Sequence, residues 1–422
     1  MQTDPNTKPY RGPGRVRRFV GDVFWSMADG VWALASGTGF AHRTKTIVIV
    51  ASLTLVTVLA IQLSPAVASL GTTLRGAEQT PDVRLTRADP PPVRPHAPAP
   101  PGLQARLEAL AEAYGEPVGV AVSDVSTGWV ASVKGSTPFP QQSVSKLWVA
   151  ITTLDAVDQS RMELDQTVTL WPADRSVFNQ PISYRITDEG YSTSLRDLLH
   201  RALIQSDNAA NDKLMSLVGG PTAVRDYLQR KYLSGIRLAE DEKHLQAHIA
   251  GLVWSPDLAP YGAFDAARSR LPRETREAAL QAYLDAPYDG ATPEGVVQAL
   301  ADLKRGALLS PESTQMILDT MHKATTGPRR LKGGLPRNWT IAHKTGTGQD
   351  FRGATVGIND VGLITAPDGQ TYAVAVFMAR TAHPVPERLA FMQAVTEAVV
   401  ETWSQGRELA QAQTGAETIS AR

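Results

Sequence analysis

The stretch QQSVSKLWV at 141–149 sets a serine, Ser143, three residues before a lysine, Lys146, just where an apolar run of helical spacing begins. On a helix, positions i and i+3 share one face, so the hydroxyl and the amine would stand one turn apart, close enough for proton transfer. Chemically that is a nucleophile beside a base, and a serine hydroxyl needs one. Two further motifs extend the set. Ser206-Asp207-Asn208 follows the helical stretch LRDLLHRALIQ, and Lys344-Thr345-Gly346-Thr347 ends the strand-like WTIAHK. Ser-x-x-Lys alone occurs about once by chance in a chain of this size, and each of the two tripeptides in roughly one such chain in twenty. All three in this order, each in a suitable local context, exceed coincidence.

The set resembles the motifs of the class A serine β-lactamases and the penicillin-binding proteins, over about 102–404. The resemblance implies an α+β fold of the β-lactamase/transpeptidase type, an antiparallel five-stranded sheet flanked by helices with an inserted all-α lobe. It implies that Ser143 is the acylated nucleophile, Lys146 its proton partner, Ser206 the hydroxyl that passes a proton to the leaving nitrogen, and Asn208 an amide that positions substrate. Lys344 would lie on the edge strand and supply positive charge near a substrate carboxylate, with Thr345, Gly346 and Thr347 lining the same strand against the substrate. A lysine serves as a base when burial and neighbouring cations lower its pKa, and Lys344 is a candidate neighbour for Lys146. The backbone N–H groups of Ser143 and Thr347 would form the oxyanion site.

Hydrolysis of the acyl-enzyme needs a second base to activate water. In class A members this is the glutamate of Glu-x-x-Leu-Asn; here the text reads Glu242-Lys243-His244-Leu245-Gln246. Glu242 is the expected base, and Gln246, one methylene longer than asparagine, the expected water-positioning amide. The family usually carries an arginine two residues before this glutamate, tying its loop by a salt bridge, and Glu240 stands there instead. The chain also runs long from 247 to 290, with a helical pattern at 272–286, so the loop must be braced differently. Arg330 matches a position where some members hold the substrate carboxylate, for which a guanidinium is a good bidentate receptor, and Arg352 is the other cation just beyond Lys344. For an aromatic wall, Phe178, Tyr184 and Tyr191 compete. His244 and His248 have helical metal spacing but no evident third ligand, so no metal and no cofactor are expected.

The elements that must position these residues follow from pattern. Residues 103–115 read as a helix, 117–133 as a hairpin, 339–346, 354–365 and 371–379 as strands, the last two joined at Asp368-Gly369, and 386–404 as a helix before a polar tail at 405–422. Strands at both ends with helices between them place the sheet in the terminal segments and the helical lobe between them. The 422 residues balance 42 Lys plus Arg against 42 Asp plus Glu, which gives no sign of a nucleic-acid partner, and contain no cysteine, which excludes disulfides and thiolate chemistry. Basic residues in 1–45 precede the uncharged run TIVIVASLTLVTVLAIQL (46–63), which with its extension to 68 reads as a single inner-membrane anchor with the N-terminus inside; a cleaved signal ending near Ala66-Val67-Ala68 is the alternative. The proline-rich 69–101 reads as a spacer holding the catalytic domain, expected to be monomeric, in the periplasm. The expected activity is β-lactam hydrolysis through a Ser143 acyl-enzyme; the alternatives are a penicillin-inhibited D,D-peptidase acting on peptidoglycan and a β-lactam sensor.

Overall fold

The computed structural model describes residues 97–420. The basic segment 1–45, the apolar run at 46–68 and the linker as far as 96 lie outside the described residues. Among the described residues no helix is long and apolar enough to cross a membrane.

Helix α1 (Pro101–Tyr114) starts on a proline and stops at Gly115, whose φ of 74° closes the last turn. A hairpin follows, β1 (Val118–Asp124) and β2 (Val130–Val133), turned by the Asp124 carboxylate accepting the N–H groups of Ser126 and Thr127. Then come β3 (Phe139–Pro140), α2 (Lys146–Asp158), β4 (Thr167–Leu170), β5 (Tyr191–Ser194) and α3 (Leu195–His200). The helical lobe continues with α4 (Asn208–Val218), α5 (Gly220–Arg230), α6 (Glu242–Ala250), α7 (Ala263–Arg270) and α8 (Arg273–Asp285). After β6 (Gly290–Ala291), α9 (Pro293–Lys304) and α10 (Pro311–His322) lead to β7 (Thr340–Gly346), β8 (Asp350–Phe351), β9 (Ala354–Thr365), β10 (Thr371–Thr381) and α11 (Val385–Ser420).

The main sheet runs β2-β1-β10-β9-β7, wholly antiparallel. These are the five strands expected, all from the terminal segments; the short β8 adds a sixth by pairing with the start of β9. Alternation along β10 shows how the sheet is held. Ala373, Ala375 and Phe377 pack with α2, α3, α4 and α9 on one face, while Val374, Val376 and Met378 pack with α1 and α11 on the other. Helix α2 is buried on every face from Lys146 through Ala156, most of its apolar residues in the first of these cores, and only its last two residues reach toward solvent.

Two boundaries differ from the sequence pattern. Helix α11 does not stop at 404 before a loose polar tail but continues to Ser420. The added residues are rich in Ala, Glu and Gln, good helix formers, and Arg407 both donates to Asp368 at 3.0 Å and lies 5.1 Å from the centre of the Trp403 ring. The long segment 247–290 holds α7 as well as the expected helix at α8, the latter spanning Arg273–Asp285.

Leu107 on α1 is fully buried in the core shared with α11 and the far face of the sheet. Leu107→Ala should lower stability by about 2–5 kcal/mol. Thermal unfolding checks this, and the molecules still folded should turn over substrate at the parent rate.

Candidate active site

Ser143 and Lys146 do not meet on an α-helix. Residues Gln142–Ser145 form a single 3-10 turn that runs straight into α2. With three residues per turn, positions i and i+3 eclipse instead of lying staggered, which brings the pair into register. Lys146 Nζ lies 2.8 Å from Ser143 Oγ and 2.9 Å from Glu242 Oε2, and the amine is wholly buried. The turn is entered through Gln142, whose φ of 51° is one a side chain rarely adopts. Its N–H donates to Asp289 Oδ2 at 2.7 Å, holding the strained residue in place.

Glu242 is brought to Lys146 as the first residue of α6. Two aspartates satisfy the open N–H groups of that helix: Asp241 accepts from His244, and Asp212 of α4 accepts the N–H of Glu242 itself at 2.9 Å. Burial alone would raise the Glu242 carboxyl, but the charge and hydrogen bond of Lys146, the Gln246 amide and the charge of Lys344 together hold it below its ordinary value. Asp212 goes the other way. Burial, reinforced by the negative charges of Asp241 and Glu242, pushes it up to about 7.

The opposite wall comes from the turn after α3 and from β7. A π-helical turn at Arg201–Gln205 ends in Ser206 with φ 58°, and Asp207 then caps α4 through Ala210 N–H while also accepting Ile182 N–H. Ser206 Oγ thereby meets Lys344 Nζ at 2.9 Å. Burial drives Lys344 well below an ordinary lysine, and the neighbouring Lys146 charge adds to this. Asn208 donates to Val177 O, while its Oδ1 is buried without a partner and belongs to a residue lining the pocket. Gly346 is needed where β7 passes the nucleophile turn, because a Cβ there would stand 2.4 Å from Gln141 O. Arg330 Nη1 donates to Gly346 O and Asn359 O, and Nη2 to Thr347 Oγ1. Ser143, Ser206, Glu242, Thr345, Thr347 and Arg330 all line one pocket of about 440 Å³.

The inserted segment supplies the brace that the sequence left unassigned. Glu240, in place of the family arginine, lies 2.9 Å from His248 Nδ1. From α8, Tyr283 donates to Asp289 Oδ1 and accepts from Gln142 Nε2, both at 2.7 Å. From α7, Arg268 donates to Gln349 Oε1 at 2.7 Å, and Phe264 meets Phe178 edge-on at 4.8 Å. Phe178 lines the pocket, whereas Tyr184 is exposed and Tyr191 takes part in the small β4–β5 sheet, so Phe178 is the one of the three expected aromatics that reaches the site. Arg352 pairs with Glu277 on α8 and does not line this pocket. His244 is bonded to Asp241, and among the described residues no group of three His, Asp or Glu could hold a metal.

The role expected of Gln246 needs revision. Its Nε2 donates to Glu242 Oε1 at 2.9 Å and to Gln142 Oε1 at 2.8 Å, which uses both hydrogens, and its Oε1 accepts from Gln349 at 2.9 Å. Only the remaining lone pair on Oε1 is left for a water. Sequence reasoning missed Asp212, Gln142, Gln349, Tyr283 and Arg268. Asp212 was accessible, since it lies four residues after Asn208 on the same helix face; the others are brought in by tertiary packing.

A family model described as the β-lactamase enzyme family matches residues 102–403. The extended-spectrum β-lactamase PER-1 of Pseudomonas aeruginosa is 30% identical over 280 residues, covering 66% of this chain and 80% of that protein. β-Lactamase VEB-1 of the same organism is 27% identical, covering 66% and 83%. Among solved structures, a β-lactamase from Chitinophaga pinensis superposes with a TM-score of 0.57 at 27% identity, covering 71% of this chain and 98% of that one. An ancestral class A β-lactamase gives 0.56 at 28% identity, covering 71% and 99%.

The raised Asp212 makes stability depend on pH in a stated sense. Between its ordinary 3.8 and about 7 the folded chain holds a proton that the unfolded chain has released, so stability falls as pH rises through that window. Glu242, whose value is lowered, acts oppositely, with stability lost as pH falls. Asp212→Asn keeps an acceptor for Glu242 N–H but cannot ionise, so its denaturant midpoint should decline less steeply than the parent's across that window, the raised Asp289 accounting for part of what remains. An identical decline in the variant would contradict the assignment.

Proposed function

The chain belongs to the β-lactamase enzyme family, and from that premise we infer how a class A serine β-lactamase works with these residues. The protein hydrolyses the β-lactam amide, which inactivates the antibiotic and underlies resistance. The observation that carries the residue assignment is the position of Lys146 Nζ, hydrogen-bonded at once to Ser143 Oγ and Glu242 Oε2.

Ser143 Oγ attacks the lactam carbonyl as its proton passes to Lys146, which gives up one of its own protons to Glu242 Oε2, 2.9 Å away, and so becomes able to accept it. The backbone N–H groups of Ser143 and Thr347 receive the oxyanion, a contact worth about 3 kcal/mol per donor in the transition state. When the C–N bond breaks, Ser206, held by Lys344, delivers its proton to the departing nitrogen and is reprotonated from Lys146, which takes back the proton lent to Glu242, so that Glu242 is again a carboxylate. The acyl ester is then attacked by a water that Glu242 deprotonates, and Ser143 recovers its proton. Gln246 holds Glu242 by its NH2 group and meets the water only through Oε1. On the binding side, the unpartnered Asn208 Oδ1 suits an amide N–H of the acyl side chain. The ring carboxylate faces Lys344, Thr345 and Arg330, with Gly346 letting β7 run close.

A D,D-peptidase would have no use for a carboxylate at the nucleophile's base. Here Glu242 and Ser143 share a single ammonium, which favours hydrolysis of the acyl-enzyme over its persistence. For location, the uncharged run behind a basic segment supports an inner-membrane tether with a periplasmic catalytic domain, a proposal that mapping the mature N-terminus tests.

With a chromogenic cephalosporin, the parent chain should turn over repeatedly and show no lasting adduct by intact-mass spectrometry. Glu242→Gln should acylate and then stall, its mass raised by one acyl group. A parent that itself accumulates the adduct would return the protein to the penicillin-inhibited peptidases or sensors. Arg330→Ala should raise KM about tenfold or more with a smaller change in kcat; an unchanged KM would leave the carboxylate to Lys344 and Thr345.

A further inference from the structure

Behind Glu242 three glutamine carboxamides stand in series, and each could sit either way round. Their neighbours decide. A guanidinium only donates, so Arg268 Nη1, 2.7 Å away, fixes Oε1 of Gln349 toward itself and sends Nε2 of Gln349 to the backbone O and side-chain Oε1 of Gln246, both at 2.9 Å. With its oxygen so engaged, Gln246 must turn its NH2 group to Glu242 Oε1 and Gln142 Oε1. Gln142 then offers its own NH2 to Tyr283 Oη, whose hydrogen goes to Asp289 Oδ1. The series is thus donor-only at the α7 end and acceptor-only at its two carboxylate ends. No link can be reversed without placing two oxygens, or two NH groups, against each other.

Resting on the β-lactamase reading above, we propose that Arg268, on inserted helix α7, is a positioning residue for deacylation, setting the polarity of the Gln349 and Gln246 amides so that Glu242 is held by a donor. Arg268 is four-fifths buried and its other arm is balanced by Asp265 at 3.2 Å, so its charge is available for this bond without leaving an unpaired ion. If Gln349 were released, Gln246 could invert, and its carbonyl oxygen would then face Glu242 Oε1 and repel it, turning the carboxylate about its Oε2 contact with Lys146 and away from the acyl ester. Acylation would be spared, because the bond from Lys146 to Ser143 does not pass through this series. The extra helices of 247–290 thereby reach the chemistry through two side chains, Tyr283 at the nucleophile turn and Arg268 at the base.

The test is single-turnover acylation and deacylation in the full-length chain, followed by intact mass. Arg268→Ala should slow deacylation about tenfold or more and accumulate acyl-enzyme, with acylation within about twofold of the parent. Arg268→Lys, also donor-only, should restore most of the deacylation rate. Gln349→Glu should keep the contact to Arg268 yet still lose deacylation, since a carboxylate cannot donate to Gln246. Arg273→Ala, an exposed arginine on α8, is the control and should match the parent. Deacylation at the parent rate in both Arg268→Ala and Gln349→Glu would overturn the proposal. So would equal losses in Arg268→Ala and Arg268→Lys, or equal losses in acylation and deacylation with a lowered Tm, either of which marks a purely structural role. Failure of the β-lactamase reading is distinct, because the parent itself would then not turn over.

Discussion

A single buried ammonium organises this molecule. Lys146 has no exposure to solvent, and its Nζ is shared between a hydroxyl 2.8 Å away and a carboxylate 2.9 Å away. An isolated charge in such a place costs several kcal/mol, and leaving one partner of a buried pair uncompensated typically costs 3–5 kcal/mol, by rough general experience. The interior must therefore deliver Glu242 to that point as firmly as it delivers Ser143. The 3-10 turn, the deeply buried α2 and the doubly capped start of α6 are the local solutions to that requirement.

The same requirement explains why the insertion is built as it is. The sequence lacks the arginine by which relatives of this kind tie down the loop bearing the base, and it places Glu240 there. The substitute is a network rather than a single ion pair. Asp289 is anchored by Tyr283 and by Gln142 N–H, Asp212 by Ser176 and by Glu242 N–H, and Gln349 by Arg268. Every link is buried or partly so, where a satisfied hydrogen bond is strong and an unsatisfied one expensive. Burial raises both Asp212 and Asp289, to about 7 and about 6, while the nearby cations hold Glu242 down. Carboxyl groups within one lobe are thus driven apart in acidity, and the one whose value is lowered is the one that faces Lys146.

Much of this could be read from the chain. The strands of the terminal segments announced themselves by alternation and by the Asp368-Gly369 turn, because a half-buried pleat imposes a period of two on its own sequence. The three motifs located Ser143, Ser206, Asn208 and Lys344, since short-range spacing carries most of their geometry. Arg330 was legible as a cation near the site but not as a residue whose Nη1 is consumed by backbone carbonyls, which only the packing of its loop on β7 and β9 reveals. Likewise Gln246 looked like a free amide for water, but its donors go to Glu242 and to Gln142, 104 residues distant, and its oxygen accepts from Gln349, 103 residues distant. The end of α11 was not legible, because polarity alone does not stop a helix whose residues favour one.

The central claim, that Lys146 moves the proton of Ser143, is tested most directly by the acylation rate of Lys146→Ala with a chromogenic cephalosporin, measured by stopped flow and intact mass, beside circular dichroism for the fold. The account predicts a folded protein whose acylation is slowed by several orders of magnitude, with no adduct on the parent's timescale. Acylation of Ser143 at the parent rate in that variant would remove Lys146 from the mechanism and contradict the account.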